Sequence, residues 1–261
     1  MLKLSPSGHV LPVLGRRNTG GEGHWVFNKP ADVAFSRDGD VYVADGYGNS
    51  RIVKFDQDGN FITAWGSYGT GPGQFNLPHV IVDRTGRVIV GDRTNGRIQV
   101  FSGDGTFQEE WKNIGYPYGL ALTPDGHIWM ADGGFDRIVE LDPHGKILGA
   151  FGSPGHLPGQ FAWAHFLAVS NDHKIFVADV LNWRFQVFGP TTPTGGPMDY
   201  VPTARQCSGS DGVGVTCWPA PEVSANLNTT QTGNLGLSSQ QEGALVAFMK
   251  TLTDGYTPAA D

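Results

Sequence analysis

The sequence predicts an all-β propeller, and three observations carry that prediction. One pattern is written four times: Val41-Tyr42-Val43-Ala44-Asp45 with Arg51-Ile52, Val88-Ile89-Val90-Gly91-Asp92 with Arg97-Ile98, Ile128-Trp129-Met130-Ala131-Asp132 with Arg137-Ile138, and Ile175-Phe176-Val177-Ala178-Asp179 with Arg184-Phe185. The Asp recurs at intervals of 47, 40 and 47 residues, a period that marks a repeat array. Within each unit four short runs rich in Val, Ile, Phe and Tyr are separated by turn chemistry, which is the strand content of one propeller blade. No 3.6-residue apolar pattern competes with this before residue 235.

In chain order, Leu2–Leu4 and Val10–Leu14 match the third and fourth strands of a unit, so the chain opens halfway through a blade. Three complete blades follow at about 29–66, 77–112 and 116–152. In the first, the runs Asp32–Phe35, Val41–Ala44, Arg51–Phe55 and Phe61–Trp65 are divided by Asp38-Gly39, Asp45-Gly46 and Asp58-Gly59, where Gly supplies positive φ. The last unit, 163–188, shows three strands and no clear fourth. The expectation is three complete four-stranded blades plus two partial ones. Either the N-terminal strands complete the last blade, or the chain is a piece of a six-bladed ring.

The repeated Asp and Arg are expected to be structural, the Asp binding turn N–H groups and the Arg fork tying the adjoining segment. Residues 1–188 read as the propeller, 189–234 as a Pro/Gly/Thr-rich linker and irregular segment, and 235–261 as a C-terminal amphipathic helix and tail. Ser238 or Ser239 can cap that helix, Leu245, Phe248, Met249 and Leu252 share one face, and Gly255 stops it.

A net charge of −7 with 18 Lys+Arg argues against a nucleic-acid surface. No run of about 18 apolar residues exists to span a membrane. The two cysteines, Cys207 and Cys217, lie outside the repeats. They are either a small disulfide loop, which implies an extracytoplasmic (periplasmic or secreted) location, or two free thiols.

Deviations from the repeat point to function. Aligned unit starts read Lys29-Pro30-Ala31, Leu77-Pro78-His79, Tyr116-Pro117-Tyr118 and Trp163-Ala164-His165. Histidine fills the innermost-strand slot in units two and four only. Alternate blades of a six-bladed ring are a third of a turn apart, so histidines from such blades can meet on the axis and bind zinc with a position left open. Each could equally be a satisfied buried histidine.

The strings Phe27–Ala34, Asp45-Gly46-Tyr47-Gly48-Asn49-Ser50-Arg51, Leu77-Pro78-His79 and Asp92-Arg93-Thr94-Asn95-Gly96-Arg97-Ile98-Gln99 resemble NHL-repeat propellers, and more narrowly the peptidyl-α-hydroxyglycine α-amidating lyases. The resemblance covers about residues 1–188 and implies a carbon–nitrogen lyase of the peptidylamidoglycolate type. Such an enzyme releases glyoxylate from a peptidyl α-hydroxyglycine with zinc on three histidines. It implies His79 and His165 as zinc ligands, and Tyr47 and Arg93 as catalytic groups. Two departures stand out. The blade of the family's first zinc histidine would precede Met1, and Phe166 follows His165 where the family has an Asp associated with calcium. Calcium prefers oxygen ligands, so its site is in doubt.

The tail, at Trp218–Val223, Leu235–Leu237 and Leu245–Tyr256, resembles the end of cytochrome c peroxidase-type di-haem proteins. Cys-x-x-Cys-His is absent, so no covalent haem is expected. Three readings follow: a lyase-like propeller acting on a small peptide or α-hydroxy acid derivative, a non-catalytic propeller binding a protein or peptide partner, and a calcium-dependent lactonase-like hydrolase. Whether the chain is an enzyme at all is left open.

Overall fold

A computed structural model describes residues 2–4, 7–16, 18–190, 200–202, 205–206 and 217–218. Strands β1 (Leu2–Leu4) and β2 (Val10–Val13) form a separate antiparallel hairpin. Four antiparallel blades follow in a propeller arrangement. The first is β3 (Asp32–Phe35), β4 (Val41–Asp45), β5 (Arg51–Phe55) and β6 (Phe61–Trp65). Short parallel strands β7 (Ser67–Tyr68) and β8 (Gln74–Phe75) lead into the second, β9 (Pro78–Val82), β10 (Val88–Asp92), β11 (Arg97–Phe101) and β12 (Phe107–Lys112). The third is β13 (Pro117–Leu122), β14 (Ile128–Asp132), β15 (Arg137–Leu141) and β16 (Ile147–Phe151). After β17 (Ser153–Pro154) and β18 (Gln160–Phe161), the fourth is β19 (Ala164–Val169), β20 (Ile175–Asp179), β21 (Arg184–Pro190) and β22 (Tyr200–Pro202). A final parallel pair joins β23 (Arg205–Gln206) and β24 (Cys217–Trp218).

Two expectations are corrected. The last unit does have a fourth strand: β22 pairs with β21 through Phe188↔Pro202, Gly189↔Val201 and Pro190↔Tyr200. It is only three residues long and begins well beyond the short turn that follows the third strand elsewhere, so it carries no blade-like apolar run to find. Gly46 also differs from its expected role. Gly39 and Gly59 take φ of 91° and 86°, but Gly46 is not in the left-handed region. A Cβ there would lie 2.6 Å from the Pro78 carbonyl oxygen, so Gly46 permits the close approach of β9 to the first blade. The expected C-terminal helix lies outside the described residues, as does Cys207 of the possible Cys207–Cys217 pair.

The core lies between blades. In β10 every residue is buried; Val88 and Val90 pack with Tyr42, Ala44 and Ile52 of the first blade, while Ile89 packs with Leu120, Ile128 and Met130 of the third. Alternation along a strand sends successive side chains to opposite faces, so a middle strand buried on both faces reads as a continuous apolar run. The third and fourth blades join the same way, through Trp129, Ala131 and Ile138 against Leu167, Ile175 and Val177. Each such large side chain contributes about 1.5–3 kcal/mol of burial.

The four Asp–Arg pairs fix where each blade begins. Asp45, Asp92, Asp132 and Asp179 are buried, and their Oδ2 atoms accept from Arg51, Arg97, Arg137 and Arg184 Nε at 3.0, 2.8, 2.8 and 2.9 Å. Their Oδ1 atoms accept the backbone N–H of Asn28, Asn76, Tyr116 and Ala162 at 2.8, 2.7, 2.9 and 2.8 Å. Those N–H groups lie one to four residues before the innermost strands. The arginines also donate to loop carbonyls, Arg97 to Gly71 and Gln74 and Arg184 to His156, Leu157 and Gln160.

Removing one partner of a buried pair strands the other charge. Arg97→Ala is therefore expected to lower unfolding stability by about 3–5 kcal/mol, measured by urea denaturation. Arg137 is 33% exposed, and Arg137→Ala should cost clearly less.

Candidate functional site

The innermost strands and the β4–β5 and β10–β11 turns bring four side chains together. His79 projects from β9 and is fully buried. Neither of its ring nitrogens has a hydrogen-bond partner, and Asp32 Oδ2 stands 3.6 Å from Nδ1. An unsatisfied buried imidazole costs free energy unless something else meets it. His165 projects from β19, its ring centroid 6.2 Å from that of His79. Tyr47 lies in the turn after β4, with Oη 3.5 Å from His165 Nε2 and its ring 6.4 Å from His79. Arg93, just past Asp92, donates from Nη1 to Tyr47 Oη at 3.1 Å.

Burial pushes the His165 imidazole down to about 4, helped by the neighbouring His79 and the positive charge of Arg93. The ring is therefore neutral at pH 7 and keeps a lone pair for a hydrogen bond or a metal. Arg93 is half-buried and makes no ion pair among the described residues, unlike the four repeated arginines. Its guanidinium carbon lies 3.7 Å from the Tyr118 ring centroid and 5.9 Å from that of Trp163. Its remaining N–H donors offer a fork for a carboxylate.

The donor chemistry suits zinc in two of its positions: an orphaned buried imidazole and a neutral one. Among the described residues no three His, Cys, Asp or Glu side chains are arranged to hold one ion. In the aligned sequence the corresponding positions are Ala31 and Tyr118, while strand register sets Asp32, opposite Ala44, level with His79, opposite Gly91. Phe166 packs its ring 5.9 Å from His79, so the residue after His165 presents carbon and no oxygen donor.

Sequence reasoning chose Tyr47, His79, Arg93 and His165, and the structure places all four within one cluster. It missed Tyr118 and Trp163. Both sit in the aligned unit starts, and Tyr118 fills the slot that holds histidine in the flanking blades, so the alignment carried the signal.

An NHL repeat model matches residues 27–55. The chain is 40% identical over 157 residues to NHL repeat-containing protein 3 of Homo sapiens, covering 56% of this chain and 45% of that protein. It is 34% identical over 192 residues to peptidyl-alpha-hydroxyglycine alpha-amidating lyase 1 of Drosophila melanogaster, covering 62% of this chain and 35% of the relative. The chain thus spans less than half the length of either relative. Virginiamycin B lyase from Staphylococcus aureus superposes with a TM-score of 0.50 at 18% identity, over 66% of this chain and 54% of that one, a likeness of fold alone. The chain is an NHL-repeat β-propeller. It resembles, within that class, the peptidyl-α-hydroxyglycine amidating lyases.

In the metal-free protein the His165 ring protons should titrate in NMR with a midpoint near 4. The sign follows from burial: the folded state resists protonation that the unfolded chain accepts near 6.5, so this group removes stability as pH falls below that value. A midpoint near 6.5 would show the ring to be solvated.

Proposed function

We propose that the chain is a propeller of the amidating-lyase type, acting on a small α-hydroxy carboxylate such as a peptidyl α-hydroxyglycine. One observation carries the reading: Tyr47 Oη sits between the Arg93 guanidinium, at 3.1 Å, and the His165 imidazole, at 3.5 Å. A phenol held between a cation and a neutral imidazole is suited to take a hydroxyl proton. The sequence resemblance to the lyases supports the same roles.

The Arg93 fork would hold the substrate carboxylate in two parallel hydrogen bonds. Tyr47 Oη would accept the hydroxyl proton as its own phenolic proton leaves for the departing amide nitrogen, so that the phenol is regenerated in the step. The hydroxyl oxygen becomes the aldehyde of glyoxylate as the C–N bond breaks. His79 and His165 would hold zinc, which when bound supplies a Lewis acid for a substrate oxygen.

A second reading is a non-catalytic propeller that binds a protein or peptide. It is favoured by the metal donors: among the described residues no third ligating side chain joins His79 and His165, and two imidazoles hold zinc weakly.

The two are separated by elemental analysis of the purified chain together with a glyoxylate-release assay on a peptidyl α-hydroxyglycine. The lyase reading expects stoichiometric zinc, lost in the His79→Ala/His165→Ala double variant. It also expects Tyr47→Phe to retain zinc while turnover falls by about 10²–10⁴. Neither zinc nor glyoxylate from the wild-type chain leaves the binding module standing.

A further inference from the structure

We propose that Tyr118 and Trp163 are positioning residues that clamp the Arg93 guanidinium in a fixed plane, making this site selective for a planar carboxylate. The inference rests on the proposed function for the identity of the anion, and on geometry for the clamp.

The guanidinium carbon of Arg93 lies 3.7 Å from the Tyr118 ring centroid, a face-to-face stacking distance. Tyr47 and Trp163 each lie 5.9 Å from the same carbon, so three aromatic rings surround the cation. Stacking occupies a face of the guanidinium and leaves its in-plane donors available. One is used on Tyr47 Oη. No carboxylate of the described residues pairs with the others.

The clamp itself is held rigidly. The Tyr118 ring meets Trp163 edge-on at 6.1 Å and His165 edge-on at 5.5 Å. Behind it is Gly133, where a Cβ would come within 2.9 Å of two Tyr118 ring carbons and 2.7 Å of the Ala164 carbonyl. Any larger residue there would push the ring out of the stack. Trp163 has a φ of 70°, a left-handed conformation that a bulky residue adopts only when its surroundings impose it. Here its N–H donates to Asp136 Oδ1 at 2.6 Å and its carbonyl accepts from Val180 N–H at 3.1 Å. Lys29 and Leu77 take the same left-handed conformation at the same place in their blades, with φ of 55° and 62°, so the repeat backbone itself fixes Trp163 where its ring lies 5.9 Å from the Arg93 guanidinium carbon.

A clamp of this kind demands Arg. A lysine at position 93 would keep the charge but lose both the stack and the two-pronged geometry. The test is binding of glycolate, a small α-hydroxy carboxylate, to the whole chain by calorimetry. Tyr118→Phe keeps the ring and should retain affinity within about twofold, whereas Tyr118→Leu and Trp163→Leu should each weaken it by about tenfold. Arg93→Lys, a change at a half-exposed position that leaves the fold alone, should weaken it by at least about tenfold. In an Arg93→Ala background, Tyr118→Leu should have no further effect, because its influence passes through the guanidinium. With a turned-over substrate, Tyr118→Leu should raise KM more than it lowers kcat.

Undiminished binding in Arg93→Lys or Tyr118→Leu, an additive effect in the Arg93→Ala background, or no glycolate binding by the wild type overturns the clamp. Intact glycolate selectivity with no glyoxylate release would instead overturn the lyase reading and leave the clamp in place. Glyoxylate release unaffected by Tyr118→Leu would do the reverse.

Discussion

The buried Asp–Arg pair is the interaction on which the rest of the structure depends. Each Asp receives its Arg on one oxygen and the N–H of an incoming loop on the other. Burying a carboxylate is tolerable only with this degree of satisfaction. The consequence is positional: the segment entering each innermost strand is pinned two or three residues before His79, Tyr118 and His165. Four copies of one tie set the inner edge of four blades in register, and the site is what protrudes from that edge.

Against this regular frame, the groups of the candidate site are the irregularities. Position after the repeated Asp is Gly46, Arg93, Gly133 and Val180 in the four blades. Two glycines let neighbouring chain segments pack closely, and the Arg in the second blade is left without an acidic partner. The innermost-strand slot changes in the same way, from Ala31 to His79, Tyr118 and His165. The frame tolerates these exchanges because the slots face the inner edge and not the inter-blade cores, where Ile89, Met130 and Ile138 leave no freedom.

Blade number, strand order and the structural role of Asp and Arg were legible in the sequence because repetition states them four times. Histidine at alternate slots was legible for the same reason. Tyr118 and Trp163 stood in the same alignment, but their role comes from a stack on Arg93, whose partner lies on another blade, and no spacing rule reports that. The strand at Tyr200–Pro202 escaped because three residues without alternation carry no period. The orphaned nitrogens of His79 were also invisible, since burial without a partner is a property of packing. Gly46 shows the limit of turn rules: Asp-Gly was read as a turn requirement, and the constraint is the Pro78 carbonyl of the next blade.

The pinned inner strands turn two imidazoles, a phenol and a guanidinium toward one point. A crystal structure of the chain soaked with zinc, with anomalous scattering recorded at the zinc edge, tests this arrangement directly. The expected result is a single strong peak bonded to both His79 and His165, with Arg93 still hydrogen-bonded to Tyr47 beside it. Imidazoles facing apart, or metal bound only elsewhere, would contradict it.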